Sequence, residues 1–326
     1  MQPLALRLAR ALLLFWLVLT LTFALVRAAP GDAALLLVAP TATADEIART
    51  RQSLGLDAPL AVQYARWGGA VLKGDLGTSF VTHRAVAATL RETLPISLWL
   101  GGISLLLSFV IGVGLGVAQA VRRGRTLDHA LTAIGIVIYA APSYWLSLAL
   151  VALFTYGAAR WGFPAWLRLP AFGLHDPAGD RAGLSALADT VRHAVLPVAV
   201  LASVGAAGIA RYARSSVADV LRMDFVRTAR AKGVRPLRVL ARHVLVNALP
   251  SLVVLLALAL PGLVAGSVFV ETVFAWPGMG RAMLLAINAR DYPVVMGITI
   301  AYAALVIAAN LAADVALPLL DPRRER

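Results

Sequence analysis

Apolar residues in this chain gather into long unbroken runs instead of the one-sided stripes of a soluble helix. Residues 11–26, 93–121, 130–159 and 194–210 contain no charged side chain at all. A helix crossing the hydrocarbon of a bilayer needs about 20 predominantly apolar residues. The pattern predicts six such spans, at 9–27, 95–121, 130–157, 194–214, 245–270 and 292–318, the last interrupted only by Asp314. With no polar face on these segments and no room for an open sheet edge in lipid, the predicted fold is all-α and polytopic. The first run, following Arg7 and Arg10 and ending near Ala28 and Ala29, also has the outline of a signal peptide. Its length and the five spans after it favour an uncleaved anchor.

Within the spans, Gly112-x-Gly114-x-Gly116 contains a Gly-x-x-x-Gly pair, and the fourth span carries Ala202, Gly205, Ala206 and Gly208. Small residues at this spacing let helix backbones approach closely. Pro142, Pro197 and Pro261 fall inside apolar runs and are expected to kink or break them. Between spans, residues 28–93 are polar enough to fold outside the bilayer. Helices are predicted at 44–55 and 59–73, with Gly55 and Pro59 marking the turn between them. Segment 158–192, rich in proline and glycine, is expected to be irregular, with Trp161 and Trp166 at the membrane boundary. The organisation read from the chain is therefore 1–27 (tail and first span), 28–93 (outer region) and 94–326 (membrane core with an inner loop at 215–243).

Composition sharpens this picture. The chain is 60% hydrophobic and 14% charged, against about 45–50% and 25% for soluble domains. There is no cysteine, which excludes disulfides, cysteine-ligated zinc and thiol catalysis. Five histidines are scattered without metal-ligand spacing, so no metal site is predicted. The net charge of +13 suits nucleic acid only if it is not already explained by topology. It is explained: the short loops 122–128 and 211–243 are dense in arginine, which places them in the cytoplasm together with both termini. No nucleic-acid partner is expected.

Catalytic chemistry is not visible. Asp314 has no acidic or nucleophilic partner in another span, and no His-Glu-x-x-His occurs, so neither an intramembrane hydrolase nor any other enzyme is indicated. A phosphate-cradling Gly-x-x-x-x-Gly-Lys motif is also missing; the nearest pattern, 69–74, is followed by Asp75. No cofactor is expected on this chain. A secondary transporter, the alternative, would show ionisable mid-span residues and internal repeats.

The inner loop is the most informative stretch. Residues 224–232 read as a short helix with Asp224 as N-cap and Gly233 as stop. Ala229, Ala231 and Gly233 permit close docking, and Arg230 and Lys232 can pair with carboxylates. The residues alone fit two readings, a handle for a soluble partner or a basic loop resting on lipid phosphate.

Residues 227–233, Arg-Thr-Ala-Arg-Ala-Lys-Gly, resemble the loop that permease subunits of binding-protein-dependent ABC importers insert into their ATPases. The general motif opens Glu-Ala-Ala with glycine four residues after the second alanine. Ala229 and Gly233 keep that spacing, while the glutamate is missing and the alanine pair is broken; the form looks like the variant of the peptide and nickel branch. Further pieces are similar to the dipeptide/oligopeptide permease with the larger first outer loop. They are Leu54-Gly55-Leu56-Asp57-x-Pro59, Gln63-Tyr64-x-x-Trp67, Gly74-Asp75-Leu76-Gly77-Thr78-Ser79, and Arg192-His193-x-x-Leu196-Pro197. Then come Glu271-Thr272-Val273-Phe274-x-Trp276-Pro277-Gly278-Met279-Gly280 with Arg290-Asp291-Tyr292-Pro293, and Asp321-Pro322-Arg323.

The resemblance implies a six-span, type I ABC-importer permease of the cell inner membrane, importing dipeptides or oligopeptides by alternating access; nickel or another small solute is the alternative. Implied partners are a sister permease in a heterodimer, two ATPases that hold ATP and magnesium, and a periplasmic or lipid-anchored substrate-binding protein. The path would run between the sister subunits, lined mainly by the third to fifth spans. ATPase coupling falls on Asp224, Phe225, Thr228, Ala229, Arg230, Ala231, Lys232 and Gly233. Glu271, Trp276 and Asp291 are candidates for an outer gate or a binding-protein contact, or else for a turn scaffold with Pro277, Gly278 and Gly280. Arg211 and Arg214 are expected to snorkel to inner phosphates, and Asp314 to be structural.

Overall fold

Where the apolar runs lie, the backbone satisfies its own hydrogen bonds as helix, one of the two solutions open to a chain in lipid. The computed structural model describes residues 4–28, 38, 41–53, 55–177, 183–260, 262 and 268–320, and these are helical apart from connecting turns and one isolated bridge, Thr78 to Ala85. Pro261, Leu54, Ala29 and the 321–323 tail motif lie outside them. The helices are α1 (Leu4–Ala28), α2 (Ala44–Ser53), α3 (Leu60–Leu72), α4 (Val86–Val121), α5 (Thr126–Ala140) and α6 (Ser143–Arg160, π-helical over Ala152–Gly157). They continue with α7 (Gly183–Leu221), α8 (Asp224–Ala231), α9 (Pro236–Ala259, π-helical over Val239–Leu245), α10 (Val268–Val273), α11 (Met279–Asn288) and α12 (Tyr292–Leu320).

Helices α1, α4, α7, α9 and α12 are long and apolar enough to cross a membrane, and α5 with α6 makes a sixth span if the pair is counted as one. The predicted third span is broken: α5 and α6 meet at 101°. The break sits at Ala141, which is extended, with φ −72° and ψ 131°. The following Pro142 holds it there, because the proline ring disfavours the helical conformation in the residue before it. Pro197, by contrast, lies inside the continuous 39-residue α7. That helix is far longer than the predicted 194–214, because its backbone ladder continues into polar sequence at both ends.

Contacts divide the chain into two compact units, residues 1–96 with 278–308, and residues 97–277 with 309–326. In the first, α3 packs on α1 through Phe23, which meets Tyr64 edge-on at 5.3 Å and Trp67 at 5.4 Å. The Thr20 and Tyr64 hydroxyls share a 2.7 Å hydrogen bond. Helix α2 opens with a reciprocal cap, Thr43 N–H donating to Glu46 Oε2 (2.8 Å) and Glu46 N–H to Thr43 Oγ1 (3.4 Å), the arrangement of a capping box. The Thr43 N–H, and the Thr43 hydroxyl donating to the same Oε2 at 3.1 Å, hold the Glu46 carboxyl below its ordinary range. The turn into α3 is pinned by Gln63, whose Nε2 donates to the carbonyls of Leu56 and Ala58.

In the second unit α7 is the central element. Gly112 and Gly116 of α4 lie directly on it: a Cβ at Gly112 would stand 2.7 Å from Ile209 Cβ and 2.8 Å from Ala206 O. One at Gly116 would stand 2.6 Å from both Ala210 O and Ala213 Cβ. Gly205 returns the contact from α7, its missing Cβ falling 2.4 Å from Ser108 Oγ. Gly114, on the other face, meets nothing. The Gly-x-x-x-Gly pair therefore brings two backbones together, where dispersion and the Ser108 hydroxyl, donating to Ser104 O and Ala202 O, hold them.

Candidate functional site

The helix with the strongest one-sided character is α8. Val226 and Ala229 are buried, three residues apart on one face. They pack with Ala120, Val217, Val239 and Val244 from α4, α7 and α9. Burying Val226 alone is worth about 1.5–2 kcal/mol. Asp224, Phe225, Thr228, Arg230, Ala231, Lys232 and Gly233 are all exposed. Of the eight residues assigned from sequence, seven thus face outward and Ala229 anchors them.

Both ends of α8 are geometrically defined. Met223, not Asp224, is the N-cap residue, and it makes no side-chain cap; Asp224 is the first helical residue, its carbonyl accepting from Thr228 Oγ1 at 3.0 Å. An acidic group there complements the helix dipole, the property that made it resemble a cap. At the far end Gly233 N–H donates to Arg230 O (2.9 Å) and Val234 N–H to Ala229 O (3.2 Å). Gly233 takes φ +75°. A left-handed glycine with these two bonds is a Schellman stop. Val234 closes it by packing on the same buried cluster. An eight-residue helix is thus fixed at its stop and along one face to the spans that hold it.

A second feature lies along α4, α5 and α7: an open, mostly apolar cavity of about 910 Å³ running past Trp99, Leu107, Ile111, Tyr139 and Val198 to Arg214. Its end at Arg214 is built on charge. Asp128, fully buried, accepts from Arg214 Nε and Nη2 at 2.8 Å each and from Gly124 N–H at 2.9 Å. Arg211 lies over the Tyr139 ring, 5.2 Å from its centre. The arginines expected to reach lipid phosphate instead bind protein groups, because α5 offers a carboxylate and an aromatic face within reach.

Glu271 and Trp276 are both fully buried. Ser97 Oγ donates to Glu271 Oε1 at 2.7 Å, and the Trp276 backbone N–H donates to Glu271 O at 2.8 Å. Trp276 stacks on Trp99 at 6.0 Å, and the neighbouring Ala275 takes φ +48°. In the other unit Asp291 is buried and accepts from Ser79 Oγ (2.5 Å) and Phe80 N–H (3.0 Å). It thereby clamps the 77–85 loop, whose Gly77 carbonyl accepts from Val86 N–H. Asp314 is exposed on α12. Sequence reasoning missed Ser79, Ser97, Asp128 and the anchoring role of Arg214. Short polar residues at span ends carry no periodic signal, and only the two motif runs 74–79 and 290–293 hinted at the Ser79–Asp291 pair.

Comparison with known proteins follows the same outline. Residues 111–326 match the family described as binding-protein-dependent transport system inner membrane component, and residues 1–101 match its N-terminal counterpart. The chain is 35% identical over 309 residues to the oligopeptide transport system permease protein AppB of Bacillus subtilis, covering 94% of this chain and 93% of that one. It is 36% identical over 318 residues to the di/tripeptide transport system permease protein DppB of Pseudomonas aeruginosa, covering 95% and 94%. Among solved structures, an inward-facing form of the MetNI methionine ABC transporter matches in fold, with TM-score 0.53 and 21% identity, over 72% of this chain and 96% of that one.

Proposed function

Because this chain belongs to the family of binding-protein-dependent transport system inner membrane components, we propose that it forms half of the path of an ATP-driven peptide importer and couples to its ATPase through α8. The observation that carries this reading is the exposed, Schellman-ended helix 224–231, anchored by Val226 and Ala229. A soluble motor needs a rigid handle, and this helix joins the ends of α4, α7 and α9 in one packed cluster. Closure of the ATPases would move α8, and the cluster would pass that movement to the three spans. ATP and magnesium belong to the ATPases; this chain carries no phosphate loop.

Peptides are the proposed cargo because the curated relatives are named for oligopeptides and di/tripeptides. The apolar cavity along α4, α5 and α7 suits a surface covered by a sister permease or facing the path. An external binding protein would deliver the peptide. Basic segments at 122–125 and 211–242 support cytoplasmic placement of both termini. Buried Glu271 and Trp276 are assigned to holding the 97–99 and 271–276 segments as supports of an outer gate; buried Asp291, in the other unit, is assigned to holding the 77–85 loop.

The test is a pull-down from detergent-solubilised native membranes, comparing wild type with the Gly233→Pro/Arg230→Glu double variant. Wild type should bring down an ATPase and a second permease, and the double variant should lose the ATPase alone. Purification of the wild-type chain by itself, where a control importer stays intact, would overturn the reading.

A further inference from the structure

At the foot of α9 lies an open cavity of about 690 Å³ lined by Lys232, Arg235, Arg238, Arg242 and His243. No carboxylate occurs anywhere between Asp224 and Glu271 in sequence. Among the described residues, no ion pair or side-chain hydrogen bond engages Lys232, Arg235, Arg238 or Arg242. Of the other basic groups between 211 and 231, Arg214 is engaged by Asp128, Arg211 by Tyr139 and Arg227 by Asp224, while Arg222 and Arg230 do not line the cavity. Four like charges converging on one concavity repel one another unless an anion sits among them.

The helix continues the pattern upward. Arg235, Arg238, Arg242, Val246 and Leu249 follow one another at intervals of three or four residues, and all five are exposed. The π-helical turn Val239–Leu245 lengthens the repeat at the point where four-residue steps succeed each other. The opposite face, Val239 and Val244, is buried in the cluster that holds α8. One stripe of α9 is thus cationic at its foot and aliphatic above, with Val246 58% and Leu249 54% exposed.

We propose that this stripe is a binding site for an anionic phospholipid, its phosphodiester headgroup among Arg235, Arg238 and Arg242 and its acyl chain along Val246 and Leu249. Basic pockets beside membrane helices take such headgroups through Coulomb attraction and hydrogen bonds to phosphate oxygens. A free phosphate uses only the lower half of the stripe, and an acidic protein surface has no use for the aliphatic half. Because Val239 and Val244 lie on the back of the same turns, an occupied site braces the helix against which α8 is packed. The proposal rests on the permease reading only for the side of the membrane on which the loop lies.

Native mass spectrometry of the complex as purified, titrated with phosphatidylglycerol or phosphatidylcholine, tests it. Wild type should take up phosphatidylglycerol selectively. Each arginine near an anionic surface contributes about fivefold in affinity, so Arg235→Gln/Arg238→Gln/Arg242→Gln should bind phosphatidylglycerol about 100-fold more weakly. Phosphatidylcholine uptake and elution volume should not change. The corresponding triple lysine variant should keep the selectivity, which separates charge from folding. Equal phosphatidylglycerol affinity in wild type and the glutamine variant overturns the site. Displacement of the lipid by inorganic phosphate alone overturns the lipid as its occupant. Loss of the ATPase from the glutamine variant with lipid uptake intact assigns the cavity to the ATPase and likewise overturns the proposal. If wild type purifies without an ATPase yet the glutamine variant still loses phosphatidylglycerol, the lipid site stands and the importer reading falls.

Discussion

Replacing Arg214 by methionine should destabilise this protein far more than removing any other arginine of the inner loop. Asp128 is 1% exposed and its two carboxylate oxygens are held by two arginine nitrogens and one backbone N–H. Without Arg214 the carboxylate keeps only the Gly124 bond. Breaking a buried pair from one side costs about 3–5 kcal/mol. Arg214 is 34% exposed, so water reaches part of the site and the low end, about 3 kcal/mol, is expected. Asp128→Asn keeps the shape and an acceptor for Gly124, and frees an arginine that can turn toward water; about 1–2 kcal/mol is expected. The double variant should cost clearly less than the sum of the two, with a coupling of at least about 1.5 kcal/mol. The assay is an unfolding titration of the solubilised protein in mixed micelles, with Arg227→Met, whose partner Asp224 is fully solvated, as the control. Single-variant losses that simply add, or an Arg214→Met protein as stable as the control, would refute the claim that this pair is structural.

Other substitutions follow from close approach and backbone conformation. Gly116→Val should destabilise by about 1–3 kcal/mol, because its side chain must displace the α7 backbone, whereas Gly114→Ala should be neutral; thermal shift of the purified protein separates them. Ala275 sits at φ +48°, which carries a left-handed penalty for alanine and none for glycine. Ala275→Gly should therefore stabilise by about 1 kcal/mol; a melting temperature at or below wild type would refute it. The depressed Glu46 carboxyl contributes to the α2 cap fully above the ordinary glutamate range and loses that contribution as pH falls through its lowered value. Protection from hydrogen exchange at Thr43 and Ile47, corrected for the intrinsic pH effect, should fall in that acidic window and not change with pH in Glu46→Ala.

What could be read from the chain was what lipid imposes. Runs without a polar face had to be helices, so α1, α4, α9 and α12 were legible, and the small-residue pattern marked the α4–α7 contact. Proline was ambiguous: Pro142 breaks a span and Pro197 does not. Pro142 is exposed beside the break, whereas Pro197 is buried among packed neighbours that restrain the helix on both sides of the lost hydrogen bond. Helix ends were obscured for the opposite reason, since α7 persists through Arg192, Arg211 and Arg214, where hydropathy ends but the backbone ladder does not. Helix α8 was legible because its amphipathic spacing and its glycine stop are local. The Asp128–Arg214 pair spans 86 residues and the Ser79–Asp291 pair 212. No local pattern reports a carboxylate that finds its donor at such a distance.

The Asp291 clamp also sets an order of assembly during synthesis. The loop at 77–85 is made early and its Ser79 hydroxyl and Phe80 amide are satisfied by a residue 212 and 211 positions later. At roughly 5–20 residues per second, the ribosome needs roughly 10–40 s to supply that carboxylate. Through that interval the early loop has its glycines and its own backbone turn but not its anchor. A nascent chain stalled before the last span would therefore leave this region open to protease while α4 and α7 are already packed. Completion of the C-terminal part would be what closes it.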